Sequence, residues 1–358
     1  MKFSANKGEW SELYVFFKLL AEGKLYSGDG RLNLIRNRAF PILAIYRSDS
    51  DDRASYIVDS ARKQILIAGK STELVIPQSV FKDESEALLN YIRRIKGSSE
   101  SYSSLEEFMA RIYVDSVKAS SKDKADIRIK IHDFHTGLEP EIGYSIKSRL
   151  GGSSTLINSA GDSTNFVYSV DGLTDNIIQN FNSLDRFKQK FEFINSHSIH
   201  PKWVGVGSRT FYNNLMMIDT CLPWILGECL LYYYSGKAHT IAEAETMLRE
   251  TNPLNFDIKN QPYFYEHKLK QFLLAFALGM TAATSWNGKF VASGGYIVAK
   301  EDGDIVCYHF FDRNELEDYL FNNTYFDTPS TKRHNFGDIY SSGTKHLLKL
   351  NLQVRFIS

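Results

Sequence analysis

The sequence predicts an α/β fold in which helices flank a central mixed sheet, followed by a C-terminal region that is first helical and then β-rich. Three observations carry that reading. The amino end opens with a capped amphipathic helix, two β-branched segments lie around residues 126–148, and helical and strand patterns alternate along 358 residues, a length that can bury the cores of two domains.

The first helix begins at Asn6-Lys7-Gly8-Glu9, where Asn6 caps the exposed N–H groups and Glu9 reaches back to it. It runs to about Ala21, and Gly23 ends it; Leu13, Phe16, Phe17 and Leu20 recur at helical spacing and face a core. Residues 35–76 alternate apolar and turn positions, as in FPILAIY, SYIVD and QILIAG, and read as strands of an inserted β-rich segment at about 35–80. The charge run 47–53 reads as a solvated loop between two of them. Helical patterns at 85–95 and 105–117 are separated by the Ser-rich stretch 97–104, and a polar stretch follows at 119–124. Residues 126–134 (DIRIKIHDF) and 141–148 (EIGYSIKS) then form a hairpin through a turn containing Gly137 and Pro140.

Downstream, helices are expected over 176–193, 209–234, 241–249 and 265–284. From about Val291 the chain turns β-rich: 296–300 and 305–311 flank Asp302-Gly303-Asp304, a hairpin signal, and a helix at 314–320 follows. A final strand at 348–356 alternates strictly, with Leu348, Leu350, Leu352, Val354 and Phe356 on one face and Lys349, Asn351, Gln353 and Arg355 on the other. The domain division drawn from this pattern is 1–200, holding the hairpin, and 201–358.

Composition narrows the function classes. Lys plus Arg equals Asp plus Glu at 42 each, so no overall positive field holds nucleic acid without regard to sequence, and any basic surface must be local. Cys221, Cys229 and Cys307 are too few and too far apart for a zinc cluster or a disulfide framework, which fits a reducing cytoplasm and small buried side chains. The amino terminus has no signal-peptide pattern, and the apolar stretches 222–234 and 269–283 are shorter than a bilayer span, so buried helices and no membrane contact are expected. His132, His135, His197 and His200 lack further ligands at metal-binding spacing, so no transition-metal site is expected, and Tyr232-Tyr233-Tyr234 reads as packing.

The hairpin carries the chemistry. If Asp133 pairs with Pro140 across the turn, Asp126 pairs with Lys147, and Ser145 shares their face; a one-residue slip would turn the lysine away. Hydrolysis of a phosphodiester needs charge neutralised on a pentacovalent transition state and a hydroxide supplied near neutral pH, which a hard divalent cation held by carboxylates provides. A lysine beside it orients or deprotonates the attacking water once its pKa is lowered. Glu141 shares the face but stands roughly 13 Å from Ser145 along the strand. Glu12, in line with Phe16 and Leu19 on the first helix, is the better second carboxylate, since capping accounts for Glu9. The plainer alternative is a cross-strand ion pair on a solvated face.

Asp126, then Ser145-Ile146-Lys147, with an acid on an earlier helix, resembles the PD-(D/E)xK nuclease signature in a variant form. Ser145 stands where the second acid usually precedes the lysine, and Ala125 replaces the proline. More narrowly, KGEWSELYVFFKLL, GYSIKSRLGGSSTLINSAGDSTNF, DTPSTKRHNFG and LNLQVRF are similar to stretches of HpaII-type restriction endonucleases. The resemblance implies a restriction-endonuclease-like (PD-(D/E)xK) core with a C-terminal DNA-recognition region. It also implies a type II enzyme of the bacterial cytoplasm that cuts duplex DNA at 5'-CCGG-3' with Mg²⁺, or Mn²⁺ in its place. A cognate cytosine methyltransferase would act on the same DNA without stable contact, and a two-fold dimer suits a palindrome. In the catalytic centre it implies metal held by Asp126, by Glu12 in place of the missing acid and by the carbonyl of Ile146, with Lys147 and Ser145 beside it.

Two segments are candidates for holding the DNA. Arg149, Ser153, Ser154, Thr155 and Asn158 follow Lys147 in a Gly-rich turn able to approach phosphates, although the same residues would make an ordinary polar loop. Ser330, Lys332, Arg333 and His334 form a donor-rich turn suited to guanine O6 and N7, with Arg333 the favoured base reader; a solvated basic loop explains them equally. The polar face of the final strand could line the same groove, or simply face solvent. Other classes stay in view: a repair or junction-resolving nuclease of the same fold, and a sequence-specific DNA-binding protein without turnover.

Overall fold

Asn6 and Glu9 exchange backbone-to-side-chain hydrogen bonds of 3.0 Å each, the expected capping box, and open the helix Lys7–Glu22. Gly23 closes it in the left-handed region, where a side chain would be strained. Leu13, Phe16, Phe17 and Leu20 are all buried on it, and Phe17 meets Phe81 of the helix Gln78–Arg94 edge-on. The structure is a computed structural model that describes residues 4–48, 53–69, 73–95, 100–117, 125–134, 136–290 and 294–357. His135, residues 97–99 of the Ser-rich stretch and all of the polar stretch 119–124 lie outside the described residues.

The chain divides into two units, residues 1–154 with 291–319 and residues 155–290 with 320–357. The division differs from the expected one at residue 200 in two ways: the first unit ends at residue 154, and the late segment 291–319 returns to it. That unit is built on a nine-stranded mixed sheet. Its order is Lys24–Gly28, Ile305–His309, Gly295–Ala299, Glu141–Ser148, Ile127–Ile131, Leu34–Ser48, Arg53–Asp59, Gln64–Ala68 and Glu73–Pro77. The first strand also pairs with Leu34–Ser48, so six of the strands close on themselves.

The strands at 34–77 form a continuous antiparallel extension of the main sheet. Arg47 is not in a solvated loop. Its guanidinium is buried over the Phe16 ring and donates to the carbonyls of Ser116 and Val117 at 2.6 and 2.8 Å. The helix expected at 105–117 is shorter, Glu106–Arg111, and ends just before Tyr113, which adopts φ 60°.

The hairpin forms with a register different from the expected one. Ile127 pairs with Tyr144 and Lys130 with Glu141, two residues away from the Asp126–Lys147 pairing. The cause is a tighter turn. Asp133 N–H donates to Leu138 C=O at 3.0 Å, Gly137 N–H returns to Asp133 C=O at 2.8 Å with φ +70°, and Thr136 Oγ1 bonds the Asp133 carboxylate at 2.8 Å. A shift of two preserves which face each side chain occupies.

The hairpin Gly295–Ala299 and Ile305–His309 forms around Asp302-Gly303-Asp304 as expected, but it belongs to the main sheet and not to a C-terminal region. Gly295–Ala299 runs parallel to Glu141–Ser148, with Tyr296 opposite Ser145 and Val298 opposite Lys147. All ten residues of the two strands are buried, which suits strands covered on both faces. Gly295 at φ 108° is required, since a Cβ there would meet the Tyr308 carbonyl at 1.9 Å.

The second unit carries a three-stranded sheet (Thr155–Ile157, Val354–Phe356, Thr324–Phe326) and a four-stranded one (Lys202–Val206, Asn165–Ser169, Lys345–Asn351, Ile339–Ser342). The single strand expected at 348–356 is thus two, in different sheets. The helix expected at 176–193 is also two, Asp175–Asn182 and Phe187–Ser196. That expected at 209–234 breaks into Arg209–Ile218 and Leu222–Tyr234, bent by 108°, where Pro223 starts the second piece and Asp219 accepts from Cys221 N–H. Among the described residues no single helix is long and apolar enough to cross a membrane. The three tyrosines at its end are tied to Thr251, Thr328 and the carbonyl of Asn351.

Candidate active site

The hairpin fixes Asp126 through its neighbours. Asp126 N–H donates to Tyr144 C=O at 2.9 Å, and its Oδ2 accepts from Ile146 N–H at 2.7 Å. The paired register ends at Ile127–Tyr144, and because Asp126 N–H also bonds Tyr144 C=O, Asp126 sits at an irregularity just before the strand, with its carboxylate close enough to act on the Lys147 ammonium. The expected direct Asp126–Lys147 pairing is not formed, since the hairpin is two residues out of that register.

Glu12 approaches from the first helix. Ser148 Oγ donates to Ser11 Oγ at 2.8 Å, and Ser11 Oγ donates to Lys7 C=O at 2.7 Å, which ties the helix to the end of the lysine strand. Glu12 follows directly and is half-buried. Burial holds the Lys147 ammonium below the usual lysine range, and the carboxylates of Asp126 and Glu12 act against that shift without cancelling it. The structure therefore brings Asp126, Glu12, Ser145, Ile146 and Lys147 together.

Tyr296 joins them, a residue not picked out from the sequence. Lys147 Nζ stands 5.3 Å from the centre of its ring, and burial, then Tyr319 and Asp126, raise its phenol well above the ordinary range. Parallel pairing between segments so far apart leaves no local mark in a sequence. The alternation of residues 296–300 was the only available signal.

Among the described residues no group of three His, Cys, Asp or Glu side chains is placed to hold a metal ion. Two carboxylates and a backbone carbonyl make an all-oxygen, incomplete donor set. Such a set fits Mg²⁺, which retains waters and takes further oxygens from phosphate, better than it fits zinc.

A family model described as HpaII restriction endonuclease matches residues 6–356. The chain belongs to the HpaII restriction endonuclease family. It is 42% identical over 356 residues to the type II restriction enzyme HpaII of Haemophilus parainfluenzae, covering 99% of each chain. No solved structure matches it. As an HpaII-family member the chain is a type II restriction endonuclease, a site-specific deoxyribonuclease, and the matched span covers nearly all of both units.

The other candidates of this HpaII-family enzyme are distributed over both units. Arg149 is half-buried, its N–H donates to Ala299 C=O at 2.9 Å, and it lines a cleft of about 370 Å³ with Arg31 and Lys300. Ser153 and Ser154 follow it in the first unit, whereas Thr155 begins a strand of the second and Asn158 lies exposed just beyond. The turn expected at 330–335 is a capped helical turn. Ser330 Oγ accepts from Arg333 N–H at 3.4 Å, Asn335 closes it at φ 51°, and His334 Nδ1 accepts from Gly161 N–H at 3.2 Å. Ser330 and His334 thus serve the local fold, while Lys332 and Arg333 remain exposed.

The polar face of the last strand is divided: Lys349 lines a cavity of about 360 Å³ with Lys332 and Asn335, while the residues beyond it turn inward. Lys349 pairs with Asp162 at 2.8 Å, Arg355 pairs with Asp327 at 2.6 Å, and Asn351 is fully buried with its Nδ2 donating to Thr164 Oγ1 and Asn165 Oδ1.

Proposed function

We propose that this HpaII-family enzyme hydrolyses double-stranded DNA at 5'-CCGG-3' with Mg²⁺, in a variant PD-(D/E)xK centre. The observation that carries the reading is the convergence of Asp126 and Glu12 on a half-buried Lys147. Asp126, Glu12 and the carbonyl of Ile146 would hold the cation, which when bound supplies charge against the phosphate and makes water more acidic. The Ile146 N–H keeps the Asp126 carboxylate in one orientation. Lys147, with its proton affinity reduced by burial, takes a proton from the attacking water at Nζ or, as ammonium, faces the charge developing on the phosphate. Ser145 occupies the place of the absent acid without supplying a charge.

The unit of residues 1–154 and 291–319 cuts, and that of 155–290 and 320–357 reads. Arg149, Ser153, Ser154, Thr155 and Asn158 donate to phosphates, and Arg333, with Lys332 beside it, reads guanine. Mn²⁺ substitutes for Mg²⁺, two copies meet on the palindrome, and the setting is a bacterial cytoplasm in which a cytosine methyltransferase protects the same sites.

The test is digestion of unmethylated DNA of known sequence followed by sequencing of the ends. Uniform ends at CCGG are expected. Cuts at branched junctions would point to a resolving nuclease, and binding of a CCGG duplex without cleavage in Mg²⁺ or Mn²⁺ would point to a binding protein.

A further inference from the structure

Strand Gly295–Ala299 borders the lysine strand on the side away from Asp126, with Tyr296 across from Ser145. Side-chain parity places Tyr296, Ser145 and Lys147 on one face. The ring is 4% exposed, and its centre lies 5.3 Å from Nζ of Lys147. An aromatic face attracts an ammonium at that distance, most strongly where water is excluded.

We infer that Tyr296 is a positioning residue: its ring is the platform that holds the Lys147 ammonium toward Asp126 and Glu12. The inference rests on the proposed role of Lys147. A lysine stem has four rotatable carbons and must be held by something. A carboxylate partner would fix it by engaging an oxygen of Asp126 or Glu12, the very atoms proposed to hold the cation. A ring face holds the same ammonium and leaves those oxygens to their own task.

The experiment uses the full chain, single-turnover cleavage of a duplex carrying its cut site with Mg²⁺, and affinity for the same duplex with Ca²⁺ in place of Mg²⁺. Tyr296→Phe keeps the ring and is expected to cut within about twofold of the parent. Phenylalanines bearing one, two or three ring fluorines at position 296 keep the shape while draining the face of charge. Their cleavage rate should fall stepwise to a loss of about tenfold with duplex affinity unchanged. Tyr296→Leu should lose at least as much.

Equal rates across the fluorine series overturn the inference. So does loss of activity in Tyr296→Phe, which would assign the role to the hydroxyl, and so does a fall in affinity parallel to the fall in rate. Lys147→Ala runs beside the series. If it cuts like the parent, the reading of the centre fails; if it is inactive while the series is flat, only the role of Tyr296 fails.

Discussion

Lys147 in the first unit and Lys349 in the second both project from strands over tyrosine rings, at 5.3 Å from Tyr296 and 5.5 Å from Tyr340. Their carboxylates are used differently. Lys349 closes a 2.8 Å ion pair with Asp162, and its hydrogen bond, with that of Asn165, holds the Asp162 carboxyl below its ordinary range. Beside Lys147 a backbone group, Ile146 N–H, bonds the Asp126 carboxylate, and burial outweighs the fields of Asp126 and Glu12 on the ammonium. The first arrangement is a strut. The second keeps a cation and two carboxylates close together, with the lysine's affinity for its proton lowered, which is the state that proton transfer requires.

The comparison breaks first at the lysines themselves. Asp126→Ala and Lys147→Ala are each expected to slow single-turnover plasmid cleavage by about a thousandfold or more, whereas Lys349→Ala should stay within a few-fold of the parent. Comparable losses in all three would erase the distinction. Next come the two glutamates of the first helix. Glu12→Gln should lose roughly ten- to a hundredfold in cleavage. Glu9→Gln should lose nothing measurable, because a capping box accepts Gln in place of Glu; activity lost only in the latter would move the ligand to Glu9.

A third test asks whether burial alone accounts for a lowered pKa in this sheet. His309, between the rings of Phe40 and Tyr144, is pushed down from 6.5 to about 4 by burial, with Asp312 and Asp133 pulling the other way. Its folded pKa lies below its unfolded one, so its contribution to stability is complete above about pH 6.5 and is lost as pH falls toward 4. Thermal unfolding followed across that window should show a loss on the order of a few kcal/mol, and His309→Phe should flatten it. The smallest effect belongs to the strut. Lys349→Met should cost about 0.5 kcal/mol in denaturant unfolding, since the pair is partly solvated.

What was legible in the sequence was local. Asn6, Glu9 and Gly23 announced the first helix through bonds made within four residues, and the β-branched runs on either side of Gly137 announced the hairpin. Its faces were also legible, because the error in register was two residues and side chains alternate with period two. The turn itself was not, since Thr136 and Asp133 close it by a side-chain bond that composition does not reveal. The break between Ile218 and Leu222 was marked by Asp219 and Pro223, which the reading of one helix over 209–234 ran across, and the polar face of the last strand looked open only because its partners, Asp162 and Asp327, lie far away in sequence. Tyr296 was hidden for the same reason.

Tyr296 pairs with Ser145 only after roughly 150 further residues have been made. A nascent chain thus leaves the ribosome with Asp126, Lys147 and Glu12 already present and one flank of the lysine strand still bare. Closing so long a loop adds modestly to the entropic cost but delays assembly. Until the strand Gly295–Ala299 has been made, the sheet beside Lys147 stays incomplete.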